Sequence, residues 1–269
     1  MIFYFSATGN TRWAAHRLAA ATHEQLVDMA ALMRSSSTGA QNEPFTLKEG
    51  ERLGFVFPVH GWRVPKLVRR CISQLKLEAG HQPFTYCVCT AGDSVGQTVD
   101  GLNKVIQSTP ALSALNVKGV SSAWSLIMPE SYVGLPFMDV DPKEKEARKK
   151  AMASETLNSA IEDILMCRNG VTKLTKGFWP WFMSKVIGGF FEGVLITDKR
   201  FHVTHERCVK CGICANVCPV GDINGGQGHK PVWLHHEDCL TCFNCYHHCP
   251  HHAIEFGHQT QKKGQYFFK

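Results

Sequence analysis

The sequence lacks several features that would assign it to common functional classes. Its most apolar stretch, residues 171–200, is interrupted by Pro180, Lys185 and Glu192, so we expect no membrane span. No basic segment followed by an apolar one begins the chain, which predicts no secretory signal. Neither the G-x-x-x-x-G-K-[ST] loop nor the G-x-G-x-x-G fingerprint occurs, so direct nicotinamide binding is not predicted. No Lys/Arg stripe interleaved with aromatic residues indicates nucleic-acid binding.

Cysteine, in contrast, is abundant and unevenly distributed. Eight of the 12 cysteines lie between residues 208 and 249, and Cys71, Cys87, Cys89 and Cys167 lie outside that stretch. Such clustering favours metal binding in a reducing compartment over a secreted disulfide framework. We therefore expect a cytoplasmic protein, and the length of 269 residues predicts two domains.

The clustered cysteines form one pattern that is written twice. It reads C-x-x-C-x-x-C-x-x-x-C-P at Cys208, Cys211, Cys214 and Cys218, and again at Cys239, Cys242, Cys245 and Cys249. Four soft thiolates at tetrahedral corners suit a 4Fe-4S cube, and the proline bends the backbone away after the fourth cysteine. The alternatives are disulfides or zinc sites. Zinc sites use paired C-x-x-C units and would leave both C-x-x-x-C-P arms unexplained.

The doubled pattern resembles that of bacterial two-cluster ferredoxins. The resemblance implies that three close cysteines of each run bind one cube, while the fourth binds the other. One set is then Cys208, Cys211, Cys214 and Cys249, and the second is Cys239, Cys242, Cys245 and Cys218. Residues 201–203 and 253–256 resemble the short paired strands of these proteins, which implies a small α+β domain over residues 201–269.

The other end of the chain carries a loop suited to a phosphate group. Residues 2–5 form an apolar run typical of a strand buried in a parallel sheet, and a helical pattern begins near residue 11. Between them lie Ser6, Ala7, Thr8, Gly9, Asn10 and Thr11. Backbone N–H groups at a helix start bind anions, and hydroxyl groups complete such a site. The alternative is a capped helix after a turn, with no ligand.

This loop resembles the T/S-x-T-G-x-T loop of flavodoxins, which binds the phosphate of FMN. Two further apolar runs, residues 53–57 and 84–89, precede the loops that flavodoxins use for the flavin ring. The resemblance implies an α/β domain over residues 1–168, with a flavodoxin-like, doubly wound, parallel five-stranded sheet. It adds Pro58, Val59, His60, Gly61 and Trp62, and Thr90, Ala91, Gly92 and Asp93, to the FMN site.

Some assignments stay open from the sequence. Trp62 either stacks on the flavin or is a core tryptophan, and Tyr132 either supplies a second ring or is an ordinary tyrosine. Residues 169–200 are predicted to be an apolar helical linker that packs between the domains, with contact at a membrane surface as the alternative. A group of histidines either forms a second metal site or, as we favour, adds polar character near the clusters: His235, His236, His247, His248, His251 and His252.

The whole chain resembles flavodoxin–ferredoxin fusion proteins of electron transfer. The resemblance implies an intracellular flavoprotein of anaerobic metabolism that carries electrons between FMN and two 4Fe-4S clusters. Its partners would be redox proteins such as a ferredoxin or an oxidoreductase, and a homodimer is left open. The first alternative is an FMN-dependent reductase of a small-molecule acceptor, fed by the clusters. The second is a redox sensor or assembly factor with structural clusters.

Overall fold

The computed structural model describes residues 1–37, 43–236 and 238–268. Its centre is a parallel sheet of six strands in the spatial order β2-β1-β3-β4-β5-β6. The strands are β1 (Ile2–Tyr4), β2 (Leu26–Asp28), β3 (Leu53–Pro58), β4 (Thr85–Ala91), β5 (Ser122–Ile127) and β6 (Thr172–Lys173). The apolar runs that predicted β1, β3 and β4 are therefore confirmed as neighbouring strands of one sheet.

Helices cover both faces of this sheet, which explains its continuous apolar strands. Alternate residues point to opposite faces: Phe55 packs in one apolar cluster, and Val56 in the other. The helices are α1 (Asn10–Thr22), α2 (Met29–Ser37), α3 (Lys66–Ser73), α4 (Thr98–Gln107), α5 (Pro110–Ala114) and α6 (Lys143–Leu165). Helices α1 and α6 cover the Val56 face, while α3 and α4 cover the Phe55 face. Two further short strands, Phe45–Leu47 and Leu77–Ala79, pair with each other.

The sheet has one strand more than the five that we predicted. Strand β6 lies within residues 169–200, which were assigned to the linker, and it pairs with β5 at Ala123 and Trp124. The N–H of Gly170 donates to the carbonyl of Ser121, so the chain joins the open edge of β5. A strand of two exposed polar residues has neither the length nor the alternation that would reveal it in a sequence.

The cysteine-rich part forms a small C-terminal domain around an aromatic core. Strands β7 (Phe201–Val203) and β10 (Ile254–Phe256) pair antiparallel, which confirms the predicted pair, and β8 (Ile223–Gly226) pairs with β9 (His229–Trp233). Short helices α7 (Ile213–Asn216) and α8 (Asn244–His247) contain the third cysteine of each run, Cys214 and Cys245. The Phe201 ring stacks on Trp233 at 5.6 Å and meets Phe256 edge-on at 4.7 Å.

Residues 178–195, which we call the aromatic segment, connect the two parts through an irregular helix. Helical turns at Pro180–Phe182 and Gly188–Phe190 alternate with π-helical turns at Met183–Ile187 and Phe191–Leu195. π-Turns are rare, and they are found frequently at functional sites. No helix within residues 1–37, 43–236 and 238–268 combines the length and apolarity needed to cross a bilayer.

Candidate functional site

A cavity of about 310 Å³ opens at the carboxyl ends of β1, β3 and β4. All residues of the three predicted flavin loops line it except Gly9. Gly9 has a left-handed φ of 96°, and a Cβ there would lie 2.8 Å from the carbonyl oxygen of Phe268. The loop therefore needs glycine at this position although Gly9 does not face the cavity.

The first loop has the polar groups that an anion requires. Helix α1 begins at Asn10, and the N–H groups of a first helical turn have no intrahelical partner. The Ser6 hydroxyl is buried without a hydrogen-bond partner among the described residues. The hydroxyl groups of Thr11 and Thr90 lie 2.7 Å apart and join the first loop to the third. A buried, unsatisfied hydroxyl beside a helix start fits a phosphate group.

The second loop turns sharply beneath the aromatic segment. Gly61 and Trp62 have φ values of 54° and 57°, and the Trp62 indole N–H donates to the Ser94 hydroxyl at 2.9 Å. A Cβ on Gly61 would lie 2.6 Å from the Phe191 ring. Burial lowers the pKa of His60 to about 4, so its imidazole is neutral at the cavity wall at pH 7.

The stretch after β5 adds an acidic group that the sequence did not single out. The Glu130 carboxylate accepts hydrogen bonds from the N–H groups of Ser131 and Tyr132, both at 2.9 Å. Burial nevertheless raises the pKa of Glu130. A Cβ on Gly92 would collide with this carboxylate. No sequence pattern marks Glu130, because it follows β5 in a stretch without a recognisable motif. Tyr132, for which the sequence left two interpretations open, also lines the cavity.

The remaining wall comes from the aromatic segment and the C-terminal domain. Phe191 packs against Tyr132 with ring centroids 5.1 Å apart, and Leu195 lies beside it in the wall. Leu240, Thr241 and Cys242 approach from the C-terminal domain. The cavity is thus built from three separate parts of the chain, and Cys242 is the only cysteine among its lining residues.

The eight motif cysteines surround two smaller cavities in groups of four. One is lined by Cys208, Cys211, Cys214 and Cys249, and the other by Cys218, Cys239, Cys242 and Cys245. These groups coincide with the two ligand sets that the resemblance implied. Cys242 and Leu240 line both the second of these cavities and the large one.

The thiol groups are held as cluster ligands require. Backbone N–H groups of Asp222, Thr241 and Ala253 donate to sulfurs of Cys218, Cys239 and Cys249, over 3.2–3.4 Å. Burial raises the pKa of the Cys214 thiol to about 11 and that of Cys242 to about 12. Iron binding would therefore displace protons from these thiols, as is usual for coordinated thiolates.

The predicted group of histidines is dispersed among different contacts. His247 Nε2 lies 2.7 Å from the Ser131 carbonyl, and its Nδ1 accepts the Tyr266 N–H at 3.1 Å. His235 Nδ1 lies 2.9 Å from Asp198, and the His248 ring stacks on Phe267 at 4.2 Å. Among the described residues, no three His, Cys, Asp or Glu side chains are close enough to bind a single metal ion.

The C-terminal tail, residues 264–268, ties the two functional regions together. Gln265 donates to the backbone carbonyl of Cys249 at 2.8 Å, and the Tyr266 hydroxyl donates to Asn10 Oδ1 at 2.6 Å. The N–H of Phe268 donates to the Thr8 carbonyl at 2.7 Å. The tail therefore bridges the second cysteine run and the first cavity loop.

Comparison with known families bears on the cysteine-rich part. Residues 202–250 match the family model of a 4Fe-4S dicluster domain. No curated protein and no solved structure gives a match. The dicluster domain and its clustered cysteines support 4Fe-4S binding, and they suggest iron–sulfur electron transfer as the role of this part.

Proposed function

We propose that the protein is an electron-transfer flavoprotein that holds FMN in the large cavity and two 4Fe-4S clusters in the C-terminal domain. The observation that carries the proposal is the position of Cys242, which lines both the large cavity and one cysteine-lined cavity. A flavin takes one or two electrons and a 4Fe-4S cluster takes one, so together they couple two-electron transfer to one-electron transfer.

The fold and the cavity chemistry support FMN as the ligand. The first five strands run in the order 2-1-3-4-5, which is the flavodoxin-like order, and ligands of such sheets bind outside the carboxyl ends of the strands. Ser6, the Thr11 hydroxyl and the start of α1 would hold the phosphate. The loops at 58–62 and 90–93 would border the ring, with Trp62 on one side. A cavity of about 310 Å³ is within the usual range for small-molecule sites.

The protein's contribution is proximity and shelter from water. Cys218, Cys239, Cys242 and Cys245 would hold the cluster nearer the flavin, because Cys242 borders both cavities. The set with Cys208 has no member in the flavin cavity, and its Cys211 is exposed. That set would therefore meet an external redox protein. We propose domain limits of 1–168 and 201–269, with residues 169–200 adding β6 and one cavity wall, and a cytoplasmic location.

A reductase of a small, apolar acceptor is the second candidate. Phe137 and Phe190 line the cavity while 83% and 57% of their surfaces remain exposed, so apolar rings rim the opening. Such a rim favours an apolar molecule that reaches the flavin without a second protein. Steady turnover of a quinone in the absence of any redox protein would favour this candidate.

The test is anaerobic purification followed by cofactor analysis. We expect about one FMN and about eight iron atoms per chain, with reversible reduction of both chromophores. A protein that contains zinc, or iron without flavin, would contradict the proposal.

A pair of cysteine variants tests the arrangement. Cys242→Ala and Cys208→Ala should each lose about half of the iron, because each removes one ligand of one cube. Only Cys242→Ala should shift the FMN potential, since only that cluster adjoins the flavin cavity. Equal shifts of the FMN potential in both variants, or loss of FMN from Cys208→Ala, would contradict the proposal that the cluster held by Cys242 is the one nearer the flavin.

A further inference from the structure

The aromatic segment exposes a concentration of large apolar side chains. Phe178 and Trp179 are 93% and 78% exposed. The other exposed apolar residues of the segment are Trp181, Phe182, Val186, Ile187, Phe190 and Val194. Residues 182, 186, 190 and 194 recur every four positions, so they lie along one side of the helix. An exposed apolar patch of this kind marks an interaction surface.

The opposite side of the same helix is firmly attached to the protein. The Ser184 hydroxyl accepts the Gln97 N–H at 2.7 Å, and a Cβ on Gly188 would collide with the Gly61 carbonyl oxygen. Glu192 pairs with Arg63 at 2.8 Å and also with Arg69. The exposed rings are therefore displayed by a fixed element, which binds through them without first having to fold.

The charges around the exposed side select among possible partners. The two acidic residues within 171–200 are both engaged: Glu192 in its arginine pairs, and the buried Asp198 with His235 at 2.9 Å. Lys176 and Lys185 are exposed beside the rings. The outward charge of residues 171–200 is therefore basic, which suits the anionic surface of a bilayer.

The polarity of the surface also distinguishes a bilayer from a protein partner. A protein interface carries about one hydrogen bond per 100–200 Å². The exposed side offers few donors or acceptors besides two indoles and two ammonium groups. Tryptophan rings with flanking lysines are typical of helices that lie at the headgroup level of membranes.

We infer that the aromatic segment is a membrane-interface helix that docks the protein on anionic lipid. The rings of Trp179, Trp181 and Phe190 enter the boundary between headgroups and acyl chains, while Lys176 and Lys185 meet the lipid phosphates. Ile187 and Phe190 also line the large cavity, so docking brings the cavity opening to the bilayer surface.

Vesicle flotation of the intact, cofactor-loaded protein under anaerobic conditions tests the inference. The vesicles are phosphatidylcholine with about one-third phosphatidylglycerol, and phosphatidylcholine alone serves for comparison. We expect the protein to float with the anionic vesicles and its tryptophan emission to shift to shorter wavelength. Trp179→Gln/Trp181→Gln should lower the partition coefficient roughly tenfold or more, since two rings leave the contact.

Two further variants make the result specific. Met152→Gln/Met166→Gln removes exposed apolar side chains from a different surface and should float like the unchanged protein. Lys176→Gln/Lys185→Gln should retain weak binding and lose the preference for phosphatidylglycerol.

Three outcomes would overturn the inference. They are failure of the unchanged protein to float, equal flotation of the tryptophan variant, and a dimer in light scattering that the tryptophan variant dissociates while vesicle binding is absent. None of these readouts requires a flavin, so the result is independent of the proposed function.

Discussion

At the scale of single residues, substitutions at two glycines with positive φ distinguish the cost of backbone strain from the cost of a steric clash. Gly61 has φ 54°, and a Cβ there would meet the Phe191 ring, whereas Gly50 has φ 74° and open space around it. Gly50→Ala should lower the unfolding free energy by about 1–2 kcal/mol, the cost of a left-handed alanine. Gly61→Ala should lower the unfolding free energy by more than this, because its methyl group would also collide with the Phe191 ring. It should also bind FMN several-fold less tightly, because Phe191 forms part of the cavity wall.

The measurements for this pair are chemical denaturation and fluorescence titration of FMN. If both variants lose the same stability and neither loses FMN affinity, the packing of Phe191 against Gly61 does not matter to the cavity.

His60 predicts a pH dependence of stability. Burial lowers its pKa from 6.5 to about 4, so between these values the unfolded chain takes up a proton that the folded protein excludes. This contribution to stability is present above pH 6.5 and is lost as the pH falls towards 4. In His60→Gln, the decrease in Tm between pH 7 and pH 5 should be smaller by roughly 2–4 °C.

The exposed His258 provides the control for this experiment. His258→Gln should keep the pH dependence of the unchanged protein, and cluster absorbance should be followed throughout to exclude acid release of iron. An identical decrease in Tm for His60→Gln and the unchanged protein would contradict a neutral, buried His60.

At the scale of elements, the Glu192 carboxylate is one of the groups that attach the aromatic segment to the rest of the protein. Burial opposes ionisation of Glu192, but hydrogen bonds from Arg69 and Arg63 outweigh it and lower the pKa. Glu192→Gln should loosen residues 180–195 and speed their amide hydrogen exchange several-fold, since a partly buried ion-pair network is lost. Asp238→Asn breaks an exposed pair with Arg70 and should leave that exchange unchanged. Unaltered exchange in Glu192→Gln would show that apolar packing alone holds the segment.

Elements with a local signal were predictable from the sequence, and elements defined by distant neighbours were not. Apolar runs revealed β1, β3 and β4, and repeated spacing revealed the eight motif cysteines. Strand β6 was not predicted, because two exposed residues show no periodicity. Glu130 and Leu195 join the cavity only through the folded arrangement of chain segments far apart in sequence, and no pattern near either residue marks it.

At the scale of the whole molecule, the C-terminal tail couples the two functional regions. One of the hydrogen bonds that join these regions is buried, and it runs from the Tyr266 hydroxyl to Asn10. Tyr266→Phe should lower the unfolding free energy by about 1 kcal/mol or more, because Asn10 loses a buried donor. On the proposed function it should also weaken FMN binding, since Asn10 lines the large cavity, and leave the iron content unchanged.

Calorimetry, flavin titration and iron analysis check this variant together. A variant with normal FMN affinity and normal stability would mean that the tail contacts the loop but does not stabilise it.

The bond between Phe268 and Thr8 has a consequence for the order of folding. It joins two segments that lie far apart in the sequence, so it closes only after the intervening chain has been brought into place. The loop that contains Thr8 is therefore braced late in folding, and amide protection there is expected to develop after that of the central strands.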